Sequence, residues 1–323
     1  MRALILNEFT GPDGVVLADV PPPKAEGDRS ALIEVHAAGV SFADMLITRG
    51  EYQVRPPLPY IPGLEVAGVL RDAPLGSGLS AGQRVAAFMF GGAFAEEVMA
   101  DPTMVVAIPD NLGYPEAAGL VVNYQTAWLA LVRRARLEVG EQVLVQGAGG
   151  GLGVATIQVA KALGARVVGV AGEGAKASMA AEAGADVVVP AGDGWADAVR
   201  EATGGGVDVV VDPVGADRFL DSLRLLRPEG RLVVVGFAGG EIPQVKVNRL
   251  LLRNVTVMGA AWREFLSHDP GFLAEAGAAL GDLVASGRLT PVLGTTYSLE
   301  DGAQALRDLA ARRAVGKLVL TVR

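Results

Sequence analysis

The stretch Gln142-Val-Leu-Val-Gln-Gly-Ala-Gly-Gly-Gly-Leu-Gly-Val-Ala-Thr-Ile-Gln-Val-Ala-Lys161 decides how this chain folds. Residues 143–145 predict a short buried strand, 147–153 a tight glycine crossing, and 154–163 a helix. Val154, Ile157 and Ala160 are spaced so that one helix face can lie on a sheet. A helix that starts at such a turn aims unpaired backbone N–H groups outward, where a phosphate can accept them. Side chains in place of the glycines would hold a pyrophosphate away. Two registers approach the dinucleotide spelling G-x-G-x-x-G: Ala148-x-Gly150-x-x-Gly153 and Gly147-x-x-Gly150-x-x-Gly153. A glycine run alone also describes a flexible loop. The strand before it and the helix after it favour a phosphate cradle built from Gly147, Ala148, Gly149, Gly150, Gly151, Leu152 and Gly153.

Toward the C-terminus, strand-like and helix-like segments alternate at 166–171, 175–183, 187–189, 195–203, 207–212, 218–226, 231–236 and 255–259. The valine runs Val209-Val-Val211 and Val233-Val-Val235 read as strands buried on both faces, as in a parallel sheet. The alternation predicts an α/β, doubly wound nucleotide-binding domain. Toward the N-terminus, 114–137 predicts a helix through Ala117, Leu120, Tyr124, Trp128 and Leu131, with Pro115 tolerated in its first turn. Ahead of it the chain reads as β-rich. Short runs at 2–6, 15–20, 31–38, 66–70, 84–87 and 95–99, punctuated by Gly and Pro, suggest a distorted sandwich or barrel. Beyond residue 260 come amphipathic helices at 272–286 and 300–312 and a closing strand at 317–322, which is expected to rejoin the first domain.

At 323 residues there is room for about two domains, and a 50% hydrophobic composition fills large cores. The net charge of −8 argues against nucleic acid or an anionic membrane as partner. With no cysteine there is no disulfide, thiolate nucleophile or Cys-built zinc site, and His36 and His268 alone cannot make a three-histidine site. With only two histidines in the chain, a serine hydrolase lacks a plausible base. No apolar run of about 18 residues and no cleavable apolar leader are present, so a cytoplasmic location is expected.

Six motifs in order resemble the zinc-independent branch of the medium-chain dehydrogenase/reductases, most closely the quinone oxidoreductases of the zeta-crystallin type. They are Ala38-Gly-Val-Ser-Phe-Ala-Asp44, Arg49-Gly-x-Tyr52, Pro62-Gly-x-Glu-x-Ala-Gly68, Asn123-Tyr-Gln-Thr-Ala127, the glycine loop, and Gly316-Lys-Leu-Val-Leu320. The resemblance implies a GroES-like β-rich catalytic domain over 1–122, a Rossmann domain over 123–260 and a return to the first domain over 261–323. Substrate and nicotinamide would meet in the cleft between them. It also implies a homodimer formed through the edge strand at 255–259. Zinc-dependent relatives carry a Cys near Gly39–Ser41 and a His where Leu64 stands; this chain has neither. Many quinone reductases have Asn at Ser41 and Tyr at Leu46, so the acceptor pocket here is smaller or less polar.

About 20 residues past the loop, where NAD-selective domains place a carboxylate, stand Ala171-Gly172, with Lys176 shortly after. The missing acid makes room for a 2′-phosphate and the ammonium can neutralise it, so NADPH is the expected cofactor. Glu173 argues the other way, Pro190 stands where quinone reductases often offer a Tyr, and Lys176 can also be a solvated helix residue. Asn123 and Thr126 are expected at the nicotinamide ribose or ring, with helix packing or capping as the alternative. Gly215, Gly236 and Phe237 follow strand ends, where open α/β sheets bind ligands; structural turns are the alternative. Lys317 enters as a cofactor contact with the last motif. Tyr52 and Ser41 are the candidate catalytic groups, because a phenol can donate a hydrogen bond to a carbonyl as hydride arrives; Tyr52 can equally be a packed domain residue. Asp44 and Glu65 read as capping or turn-holding groups, His36 as structural and His268 as a loop residue.

These readings converge on an NADPH-dependent reductase passing hydride to a small quinone or other conjugated carbonyl. The alternatives are an enoyl reductase acting on an unsaturated ketone or thioester, and a non-catalytic NADPH-binding sensor.

Overall fold

In the computed structural model, which describes residues 1–24 and 30–323, the valine-rich segments form a six-stranded, wholly parallel sheet. Its spatial order is Val187–Pro190, Arg166–Ala171, Gln142–Gln146, Val207–Asp212, Leu226–Val234 and Thr256–Gly259. Val143, Leu144, Val145 and Val209 to Val211 are completely buried, which is what helices on both faces require. The helices Gly151–Ala162 and Ala175–Glu182 follow the first two strands in one direction. Trp195–Ala202 and Arg218–Leu225 follow the return, and right-handed crossovers therefore set them on the opposite face. The strand order reverses between Gln142–Gln146 and Val207–Asp212, and that switch point opens the crevice where such sheets take ligands.

The β-rich part is organised on the ten-residue strand Ala31–Val40. One edge pairs antiparallel with Glu65–Asp72; the other takes Glu97–Ala100 along its first half and the C-terminal strand Lys317–Thr321 along its second. The closing strand thus rejoins the N-terminal residues, and Leu299, Leu306, Leu318 and Leu320 share one core with Leu4, Ile33, Val66 and Phe94. A further strand, Leu293–Ser298, runs parallel to Lys317–Thr321.

The chain divides into two units: 1–122 with 271–285 and 293–323, and 123–270 with 286–292. The segment expected to return as a whole, 261–323, is therefore split. Residues 286–292 stay with the parallel sheet because Gln158 donates to the Thr290 carbonyl at 2.6 Å and Arg288 donates to the Ala162 carbonyl at 2.6 Å. The expected long helix at 114–137 is a relay of α and wider π turns: Tyr114–Gly119, Leu120–Tyr124, Gln125–Trp128 and Leu129–Arg134. The division between units falls inside the first π turn. His268, expected in a loop, is the last residue of the helix Trp262–His268. Among the described residues no helix is long and apolar enough to cross a membrane.

Candidate functional site

In the parallel-sheet unit the glycines of the 147–153 loop have separate duties. Gly147 leaves the strand at φ +62°, a conformation costly for residues with a Cβ. A Cβ at Gly153 would stand 2.3 Å from the Gly147 carbonyl oxygen and 2.7 Å from the Ala148 Cα, so the helix can come this close to its strand only without a side chain. Gly149 lies against the next helix, where a Cβ would meet the Lys176 carbonyl oxygen at 2.5 Å. Gly150 caps Gly151–Ala162 with no side-chain partner, and Val154 is the residue whose N–H reaches back to Gly150. The first-turn amides of Gly151, Leu152 and Gly153 are thereby presented to an anion. Ala148 is fully buried, donates its N–H to the Val170 carbonyl at 3.0 Å and packs on Gly169.

Lys176 sits in the first turn of Ala175–Glu182, and its Cδ would lie 3.4 Å from a Cβ placed on Gly172. The fold therefore brings together the loop, Gly172 and Lys176. Across the switch point, Asp212 closes its strand and accepts the N–H groups of Val214 at 2.8 Å and Gly215 at 2.9 Å. Burial pushes its carboxyl above the usual range, against the pull of those two bonds. Gly215, at φ +66°, lies beside the half-exposed ring of Phe237: a Cβ there would be 3.0 Å from Phe237 Cδ1. Amides of Val235, Ala238 and Gly239 donate to Asp212, Pro213 and Val214, zipping the two strand ends together around Gly236. The role of Asp212 was missed from the sequence, although Asp212-Pro-Val-Gly215 carries a turn signature. Asn123 lies half-buried in the π turn and Thr126, in the α turn after it, is buried.

The β-rich unit gathers a different cluster. Ser41 caps Phe42–Thr48 in a full capping box: its hydroxyl donates to Asp44 Oδ2 at 2.7 Å and accepts the Asp44 N–H at 3.3 Å. The hydroxyl proton is thus directed at Asp44. Asp44 is wholly buried, and that burial, helped by the nearby Glu65 charge, pushes its carboxyl up to about 6 despite the Ser41 bonds. Lys317, also buried, pairs with Glu65 and donates to the Val40 carbonyl at 3.0 Å; the other Glu65 oxygen takes the Val122 N–H at 2.7 Å. Both partners of the Lys317 ammonium lie inside this unit. Tyr52 lies half-buried in the segment after the first helix. Neither it nor Ser41 lines the open apolar depression of about 550 Å³ walled by Tyr60, Phe88 and Phe90.

Family models match both parts: an alcohol dehydrogenase GroES-like domain over 27–110 and a zinc-binding dehydrogenase domain over 151–273. The chain is 37% identical over 326 residues to rat quinone oxidoreductase-like protein 2, covering 100% of this chain and 92% of that protein. It belongs to the quinone oxidoreductase family of the medium-chain dehydrogenase/reductases. As a member it is an oxidoreductase. A probable oxidoreductase from Mycobacterium abscessus superposes with a TM-score of 0.90 at 45% identity, covering 100% of this chain and 99% of that one. The quinone oxidoreductase of Thermus thermophilus, solved also as its complex with NADPH, gives 0.85 at 34% identity over 100% of both chains. The residues here do not suit the zinc in the second family model's description. Leu64 is a buried aliphatic, Glu65 is held by Lys317 and Val122, and among the described residues no three His, Cys, Asp or Glu side chains gather.

Gly153→Ala is expected to abolish nucleotide binding by calorimetry or to lower the melting temperature by several degrees, because its methyl has backbone on two sides. For Asp44 the folded carboxyl titrates near 6 and the unfolded one near its ordinary value of 3.8. The native state therefore binds the extra proton, and stability falls as pH rises from about 4 to 6. Asp44→Asn should remove that slope, so that the wild type loses stability relative to the variant, by a few kcal/mol at most, in urea melts across the window. A flat difference curve would show that burial does not perturb Asp44.

Proposed function

We propose that this chain is an NADPH-dependent reductase that delivers hydride to a quinone or a similar conjugated carbonyl, without a metal. The observation that carries the reading is the cradle: first-turn amides, Gly149 and Gly153 with no room for a Cβ, and Lys176 lying over Gly172 where an NAD-selective domain would carry an acid. Gly147 to Gly153 would hold the pyrophosphate and Lys176 the 2′-phosphate. Asn123 and Thr126 would face the nicotinamide ribose, and Gly215, Gly236 and Phe237 the carboxamide end. Bound NADPH supplies the hydride. What the chain adds is alignment and a donor for the acceptor oxygen, a part we assign to Tyr52, whose phenol can carry a hydrogen bond to a developing oxyanion.

The reading is tested by following NADPH absorbance with benzoquinone-type acceptors, 2-enones and 2-enoyl thioesters. Quinones are expected to give the highest kcat/KM, and Tyr52→Phe to lower kcat by roughly 10²-fold with NADPH affinity unchanged. A preference for enoyl thioesters would reassign the acceptor, and binding without turnover of any class would overturn the enzymatic reading.

We further propose a homodimer through the outer edge of the parallel sheet. Support comes from Thr256–Gly259, the last strand of that sheet, and from exposed apolar residues just before it: Ile242 at 69%, Val247 and Leu251 at 75% and Leu252 at 77% exposure. Unpaired edges and clustered apolar surface favour self-association. Light scattering should give twice the chain mass for the wild type and a monomer for Leu251→Asp/Leu252→Asp; a monomeric wild type would overturn the dimer.

A further inference from the structure

Resting on the NADPH reading above, we propose that Arg218 is a second cationic contact for the 2′-phosphate and with Lys176 sets the preference for NADPH over NADH. A phosphate monoester carries close to two negative charges near neutral pH, so one ammonium leaves about half of it uncompensated. The strand end beside Gly172 supplies no other donor of its own: Pro190, paired with Ala171, has neither an amide N–H nor a polar side chain.

Arg218 reaches this end of the sheet from the opposite face. It opens the helix Arg218–Leu225, and its Nη2 donates to the Ala191 carbonyl at 2.6 Å. Ala191 in turn donates its N–H to the Ala171 carbonyl at 2.8 Å, and Gly172 is the next residue. The guanidinium is thus tethered beside the same strand terminus that Lys176 covers from the helix Ala175–Glu182 on the other face. Its tether is a neutral carbonyl, which leaves the positive charge and the rest of the five-donor fork for a ligand. The facing carboxylate whose titration its charge influences, Asp212, is buried and holds the amides of Val214 and Gly215. The remaining acids of these loops, Glu173, Asp193 and Asp217, are exposed to solvent and screened by it. Two cations on opposite sides of one strand end, with no acid between them at Gly172, form a clamp for a dianion that a 2′-hydroxyl does not engage.

Calorimetry with NADPH and with NADH on the full chain, at fixed ionic strength, tests this in Arg218→Ala, Arg218→Lys and Lys176→Ala. The Arg218→Ala change is expected to weaken NADPH by roughly 10- to 100-fold while NADH changes by less than about 2-fold, with Arg218→Lys recovering part of the loss. Equal weakening of both nucleotides would reduce Arg218 to a strut for Ala191 and overturn the proposal, and so would unchanged NADPH affinity in Arg218→Ala alongside a loss in Lys176→Ala. A wild type that does not prefer NADPH would overturn the phosphate-site reading itself, a different failure. Melting temperatures of the three variants separate loss of contact from loss of fold.

Discussion

The contact on which the nucleotide half depends is between backbone and backbone: Gly153, in the first turn of its helix, against Gly147 and Ala148 at the end of its strand. Because the helix comes within a methyl's width of the strand, its axis is aimed over the switch point and its first amides face the crevice. Ala148 then fixes the loop sideways through its N–H on Val170, and Gly149 lets the next helix bring Lys176 up to the same edge. A bulkier residue at any of these points would displace a helix, and the donors would no longer converge on one anion. The positions of these amides are therefore set by packing before any ligand is present.

The β-rich unit depends on a buried ion pair. Glu65 and Lys317 are 252 residues apart in sequence and almost wholly buried, and both carboxylate oxygens are used, one on the ammonium and one on the Val122 amide. Such a pair gains little net stability over a well-packed apolar substitute, but removing one partner strands the other charge, at a cost of about 3–5 kcal/mol. Its consequence is positional. It ties the C-terminal strand, the strand Glu65–Asp72 and the start of the π turn to one point. Gly39 is required beside it, since a Cβ there would stand 2.5 Å from Glu65 Oε1.

The parallel sheet was legible because strands buried on both faces are written as unbroken valine runs, and Val207–Asp212 was bounded correctly on that signal alone. The edge strand Leu293–Ser298 was not, because Leu-Gly-Thr-Thr-Tyr-Ser is polar and partly exposed and carries neither period. Helical periodicity marked 114–137 as one helix; the extra residue in each π turn shifts the phase too little to register against so many apolar positions. Ser41-Phe-Ala-Asp44 has the spacing of a capping box, and the hydrogen bonds form one. What no local pattern could supply were the long-range partners. The Glu65–Lys317 pair, the hold of Gln158 on Thr290 and the reach of Arg218 to Ala191 all join residues that only the folded topology makes neighbours.

These partners bear on where a proton for the acceptor oxygen can come from. Three carboxylates are buried at or near the motif positions, Asp44, Glu65 and Asp212, and each accepts backbone N–H groups: Ser41, Val122, and the pair Val214 and Gly215. An acid used as a backbone clamp is a poor proton courier, because each transfer would break the bonds that hold the turn. Asp44, although pushed up toward neutrality, is completely enclosed and has no face toward solvent or ligand. The raised pKa therefore measures the cost of enclosing a charge and does not mark a general acid. With these three carboxylates committed in this way and no thiol in the chain, the donor proposed above for the acceptor oxygen is a phenol, that of Tyr52.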